Sequence, residues 1–172
     1  MLVRPAEPRD AEATRAIYNL EVVESTVTFD MVPRSLDQQR AWLAAHSGAY
    51  PALVAEEAGE VLGLASLSAY RERPAYATTV EDSLYVRRDH RGRGVGRLLL
   101  SELVRAADGH GFHSVIARIV GGHEASIALH RSCGFQLVGV EREVGRKMGR
   151  WLDVVEMQLL IGGRSTGLQG AG

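Results

Sequence analysis

The stretch VRRDHRGRGVGRLLL, residues 86–100, sets glycines at alternate positions 92, 94 and 96 among Arg87, Arg88, Arg91, Arg93 and Arg97, then runs straight into leucines. Glycine lets a backbone approach a bound group closely, and arginine offers charge-assisted hydrogen bonds to phosphate or carboxylate. If a helix starts at these glycines, its free amides and the positive end of its dipole favour an anion. The spacing is neither G-x-x-x-x-G-K-[ST] nor G-x-G-x-x-G, which sets aside the common nucleotide loops. On local features alone, a solvated glycine-rich turn and an anion-binding turn weigh about equally.

Glu81 stands just upstream on the polar side of an alternating run, TTVEDSLYV. Burial there would raise its proton affinity and make it a base near neutral pH; simple pairing with an arginine is the alternative. Arg71 and Arg73 alternate in YRERPAY, an arrangement that can aim two guanidinium groups at one carboxylate. The alternative for at least one of them is a solvated loop charge. His110 and His113 have no cysteine or carboxylate cluster beside them, so no metal site is expected. Cys133 is the only cysteine, which excludes an intrachain disulfide and points to a reducing compartment. No base motif accompanies it, so it reads as a packed small hydrophobe rather than a nucleophile.

The 172 residues suit one domain, expected over residues 1–161, with the glycine-rich 162–172 as a flexible tail. A net charge of −1 argues against a nucleic-acid binder, despite the local arginine cluster. The first ten residues lack a signal-peptide core and no apolar run is long enough to cross a bilayer. A cytoplasmic protein without membrane or nucleic-acid partners is expected.

The elements follow from periodicity. LVRPA reads as a strand, and 9–24 as a helix with a stripe of Ala13, Ala16, Ile17, Leu20 and Val23, Asp10 standing near its start as a cap. Ser35 and Gln38 have capping-box spacing for a second helix. ALVAEE and VLGLASLSAY form a hairpin. In the next strand Val80, Leu84 and Val86 face one side and Thr79, Glu81, Ser83 and Tyr85 the other; Asp82 breaks the apolar face. A helix over 94–108 carries Val95, Leu98, Leu99, Leu103, Ala106 and Ala107 on one stripe. SVIARIV is a strand, 124–132 a short helix ended by Gly134, and two final strands flank RKMGR. The order predicts an α/β (α+β) fold with a mixed sheet.

RGRGVG (Arg91, Gly92, Arg93, Gly94, Val95, Gly96) resembles the Q/R-x-x-G-x-G/A motif of the GNAT superfamily of acetyl-CoA-dependent N-acetyltransferases, and the element order agrees over nearly the whole chain. The resemblance implies a mostly antiparallel sheet flanked by helices and a loop, with Arg97, that holds the pyrophosphate of coenzyme A. It also implies a strand end at Tyr85 and Val86 that bonds the pantetheine arm. AIYNLEVVESTVTFD, YRERPAY, TVEDSLYV, ASIALHRSCGF and GRKMGRWLDVVEMQ are similar to one branch, the phosphinothricin and methionine sulfone/sulfoximine N-acetyltransferases.

From that branch follow the expected roles. Acetyl-CoA is the cosubstrate and no metal is needed. Glu81 is the general base toward the α-amine of a small amino-acid analogue. His130 stands where many relatives have a tyrosine acting as general acid. Arg71 and Arg73 anchor the acceptor, with Phe29, Tyr76, Thr79 and Lys147 lining its pocket. His123 occupies a position where asparagine is usual, and Ser126 is a further coenzyme contact. A homodimer is implied. Acetylation of a protein N-terminus or another amine, and a non-catalytic acyl-CoA sensor, are the rivals.

Overall fold

The computed structural model describes residues 1–162; of the expected tail, all but Gly162 lies outside the described residues. Strands β1 (Leu2–Pro5), β2 (Ala52–Glu57), β3 (Glu60–Ala69), β4 (Thr79–Val86), β5 (Ser114–Val120), β6 (Gln136–Lys147) and β7 (Arg150–Leu160) form one sheet in the order β1-β2-β3-β4-β5-β7-β6. Every neighbouring pair is antiparallel except β4–β5, joined through helix α3 (Val95–Gly109). A parallel pair needs such a crossover. The mixed, mostly antiparallel sheet is the one expected.

That parallel pair is short. Four rows, Thr79↔Ser114 to Asp82↔Ala117, join the two strands. Beyond them Ser83–Val86 stays paired only with β3, and Arg118–Val120 only with β7. The sheet therefore splits at Asp82.

Period-two patterning, shifted on β3 by a bulge at Leu62 between the pairs Ala55↔Gly63 and Glu56↔Val61, puts a core on each face. Leu53, Ala55, Leu62, Ala65 and Val80 pack with Val95, Leu99, Leu100 and Leu103 of α3 and with Ile127 of α4 (Glu124–Ser132). Ala52, Val54, Val61 and Leu64 pack on the other face with Ala11 and Ile17 of α1 (Ala11–Glu24) and Leu43 of α2 (Leu36–Ala45). Burying one such leucine is worth about 1.5–3 kcal/mol. On α3, Leu100 joins the buried stripe while Leu98 and Ala106 sit at its edge.

The expected stripe of α1 is displaced. Its buried residues are Ala11, Thr14, Ile17, Tyr18, Glu21 and Val22, whereas Leu20 and Val23 are exposed. The inward face carries polar groups because each finds a partner: Gln39 donates to Thr14 Oγ1 at 3.1 Å, and Glu21 receives two arginines. Asp10 precedes α1 without capping it; its carboxylate takes the Arg4 guanidinium at 2.7 and 2.9 Å and the Glu7 amide at 2.7 Å. The Ser35–Gln38 capping box is present in both directions.

Candidate active site

A cleft of about 690 Å³ runs through the split between β4 and β5, reaching from the α1–α2 face to the N-termini of α3 and α4. Its two sides are built differently.

One side is the glycine turn. Gly94 is the N-cap of α3 at φ +84°, and Gly92 has φ +76°, left-handed conformations that glycine adopts without steric cost. The first intrahelical bond is Leu98 N–H to Gly94 O at 3.0 Å. The amides of Val95, Gly96 and Arg97 are thus left without an intrahelical acceptor. The turn is anchored from outside. Glu21 of α1, 4% exposed at its side chain, accepts from Arg88 Nε at 2.9 Å and Arg91 Nη2 at 2.8 Å. Burial raises the Glu21 proton affinity, but Arg88, Ser25 and Arg91 outweigh it and keep the carboxyl below its ordinary range. Arg87 is held by Asp89 at 2.7 Å and Glu60 at 3.1 Å. Arg97 lines the cleft; Arg93 does not, lying outward at 3.4 Å from Glu57.

The other side is carried by β4 and the loops near its start. Glu81 lines the cleft half-buried. Burial pushes its carboxyl up; Arg118 and Arg71 oppose this, while Asp82 and Glu156 add to it. Tyr85 lines the same wall, its ring meeting Tyr18 edge-on at 5.0 Å, and burial drives its phenol up. Phe29 forms part of the rim and presses on β6 so closely that a Cβ on Gly145 would stand 2.3 Å from its ring.

At the split, His130 of α4 meets Asp82. Nε2 lies 3.0 Å from Asp82 Oδ2, and Nδ1 lies 2.8 Å from the Ser126 carbonyl. Burial lowers the basicity of His130, but Asp82 and the Ser126 carbonyl overcome that, and its pKa is raised. His123 is the N-cap of α4; burial, then the nearby Arg91, lower its pKa.

The cleft thus gathers Glu81, His130, Tyr85, Val86, Arg91, Gly92, Gly94, Val95, Gly96, Arg97, His123, Ser126 and Phe29. Arg71, Arg73, Tyr76 and Thr79 lie outside its walls. Arg71 rests over the rings of Tyr70 (4.9 Å) and Tyr76 (5.8 Å), close enough for its charge to act on Glu81. Arg73 is exposed and leads a single 3-10 turn, Pro74–Tyr76. Lys147 is 5% exposed and donates to the Thr28 carbonyl at 2.8 Å, so its ammonium ties down the Phe29 loop instead of facing an acceptor. Among the described residues no cluster of three or more His, Cys, Asp or Glu could hold a metal, and no helix is long and apolar enough to cross a membrane.

Sequence reasoning missed Arg34, whose guanidinium lies 4.0 Å over Tyr18 and 5.0 Å from Trp42 in the cleft wall. It also missed Glu21 and Asp82. For Asp82 a signal existed: it interrupts an apolar face.

Residues 3–155 match the family described as acetyltransferase (GNAT) domain. The L-methionine sulfoximine/L-methionine sulfone acetyltransferase of Pseudomonas aeruginosa is 44% identical over 160 residues, spanning 91% of this chain and 92% of that protein. The phosphinothricin N-acetyltransferase of Streptomyces coelicolor is 43% identical over 88% of this chain and 91% of its own length. Among solved structures, a GNAT superfamily phosphinothricin acetyltransferase from Sinorhizobium meliloti, in complex with acetyl-CoA, is similar at TM-score 0.88 and 41% identity, covering 92% of this chain and 87% of that one.

Proposed function

Because the chain belongs to the GNAT acetyltransferase family, we propose that it moves the acetyl group of acetyl-CoA onto the α-amine of a small amino-acid analogue, with phosphinothricin, methionine sulfoximine and methionine sulfone as the leading acceptors. It works as a homodimer in the cytoplasm. The observation that carries this reading is the juxtaposition in one cleft of an amide-rich glycine turn and a half-buried carboxylate. The names of the relatives support the acceptor class.

The turn suits a diphosphate: free amides of Val95, Gly96 and Arg97, the dipole of α3, and the charges of Arg91 and Arg97 converge there. Bound acetyl-CoA supplies an activated thioester. Backbone groups of Val86, which face away from β3 and have no partner on β5, hold its pantetheine arm beside the wall made by Tyr85, with His123 and Ser126 on the facing side. Arg71 and Arg73 hold the acceptor's carboxylate or acidic head at the cleft mouth, flanked by Tyr76 and Thr79, while Phe29 walls the far rim.

Glu81 accepts a proton from the acceptor's ammonium. Its raised proton affinity brings it nearer to neutral pH, where general bases work best. Backbone N–H groups at the split stabilise the oxyanion as the amine attacks. His130 gives the departing sulfur a proton.

Thiol release from acetyl-CoA should occur with phosphinothricin, methionine sulfoximine and methionine sulfone, and be weak with methionine or a short peptide. Release with the peptide alone would overturn the acceptor assignment and leave the family intact.

A further inference from the structure

Asp82 sits where β4 and β5 part: it closes the last paired row, and its side chain is 2% exposed. His130, 4% exposed at its side chain, reaches it from α4. The ring is fixed at both ends, Nε2 on Asp82 Oδ2 at 3.0 Å and Nδ1 on the Ser126 carbonyl at 2.8 Å. A carbonyl cannot donate, so Nδ1 carries a hydrogen. The Nε2–carboxylate bond needs a second hydrogen, on Nε2 or on Oδ2. A neutral imidazole has only one N–H. The pair as a unit therefore holds one hydrogen more than a neutral histidine beside an ionised aspartate.

The remaining oxygen, Asp82 Oδ1, is buried with no hydrogen-bond partner among the described residues. A buried polar atom left unpaired costs stability and calls for a reason. Here its consequence is electrostatic: no other donor shares the carboxylate, so its charge acts on the ring. The charged and titratable groups around the pair are few: His123 at the head of α4, and Glu81, the next residue on β4, with its side chain on the other face of the strand. The ring of Phe135 closes the apolar side edge-on at 5.0 Å.

We propose that Asp82 is a positioning residue for acetyl transfer: it fixes the His130 ring at the apex of the split sheet and keeps the second hydrogen on the pair, so that the pair enters each turnover loaded as the proton donor to the leaving sulfur. The proposal rests on the acetyl-transfer reading above. As the N–C bond forms and the C–S bond breaks, the ammonium loses two protons and the sulfur leaves with the electron pair of the C–S bond. One proton goes to Glu81 and then to solvent. The pair protonates the thiolate and is reloaded by the other. The net products are the amide, the thiol and one free proton.

Asp82→Asn keeps the shape and an acceptor for Nε2–H but removes the charge. Two readouts separate the proposal from a purely structural pin between α4 and β4. In the resting wild-type protein, nitrogen NMR of His130 together with carbon NMR of the Asp82 carboxyl should show a hydrogen on Nδ1 and a second one on Nε2 or Oδ2 at pH 7; a neutral ring beside an ionised Asp82 would overturn the proposal without any variant. In Asp82→Asn the second hydrogen should be lost at least one pH unit lower. The high-pH limb of kcat should move down with it, while the KM for acetyl-CoA stays within about twofold. A kcat limb unmoved in an active variant defeats this proposal alone. Absence of thiol release from the wild-type protein with every acceptor defeats the acetyl-transfer reading and this proposal with it.

Discussion

The segments at the two ends of β4 are both rich in arginine and are built in opposite ways. At its C-terminal end the glycine turn is tied to the rest of the molecule. Arg87 N–H bonds Leu62 O at 2.9 Å, Arg88 and Arg91 close on Glu21, and two left-handed glycines set the path of the backbone. At its N-terminal end the 70–78 loop is exposed, and Arg71 leans on two tyrosine faces. The contrast matches what each end would have to meet under the proposed function. A diphosphate presents the same oxygens in every turnover, so backbone amides on a fixed frame suffice. In that reading an acceptor head would be met by long side chains on a loop, where recognition can change without disturbing the sheet.

Removing the chemistry common to both ends gives the largest effect. Glu81→Gln is expected to lower kcat by about 10²–10⁴, the usual worth of a general base, with acetyl-CoA affinity little changed. In the wild-type enzyme kcat/KM should rise with pH through the Glu81 titration. Because burial raises that pKa above its ordinary 4.5, the midpoint should lie above 4.5. A pH-independent rate, or unchanged turnover in the variant, would remove Glu81 from the mechanism.

Next comes the frame of the turn. Glu21→Ala deletes the buried acceptor of two arginines and is expected to cost about 1–3 kcal/mol in thermal or denaturant unfolding. It should also weaken acetyl-CoA binding in calorimetry. Loss of stability with unchanged coenzyme affinity would show that the tether serves the fold alone, and would blunt the contrast drawn above.

The smallest effect belongs to the loop. Arg71→Ala should raise the acceptor KM by roughly tenfold, as expected for one exposed charge-assisted contact, and leave the fold and acetyl-CoA binding alone. An unchanged acceptor KM would hand acceptor recognition to Arg34 in the cleft wall.

Much of this architecture is legible in local pattern. The β2–β3 hairpin, the alternation of β4 and the start of α3 at the glycines all follow from nearest neighbours in sequence. So does the Ser35–Gln38 box, whose two bonds span three residues. The misread positions share a cause. Glu21 is inward because arginines 67 and 70 residues away meet it there; Asp82 is tolerated on an apolar face because His130 arrives 48 residues later; Lys147 is buried by a carbonyl 119 residues back. Periodicity registers how water is excluded from one segment, not which distant group compensates a buried charge. Of the candidate site, the glycine turn at the head of α3 and the cleft-facing place of Glu81 were readable, while the distant groups that anchor the turn were not.

The four rows joining β4 to β5 also determine how the molecule carries a mechanical load. On one side lie β1 to β4, on the other β5, β7 and β6. Parallel pairing is slightly the weaker kind per residue, so a bend between these two plates concentrates at that line. The core of α3, with Leu99, Leu100 and Leu103 fully enclosed, lies across β2, β3 and β4 and stiffens the first plate. The gap past Asp82 is the open end of a short seam, and leucines that never see the solvent brace one of the two plates that it joins.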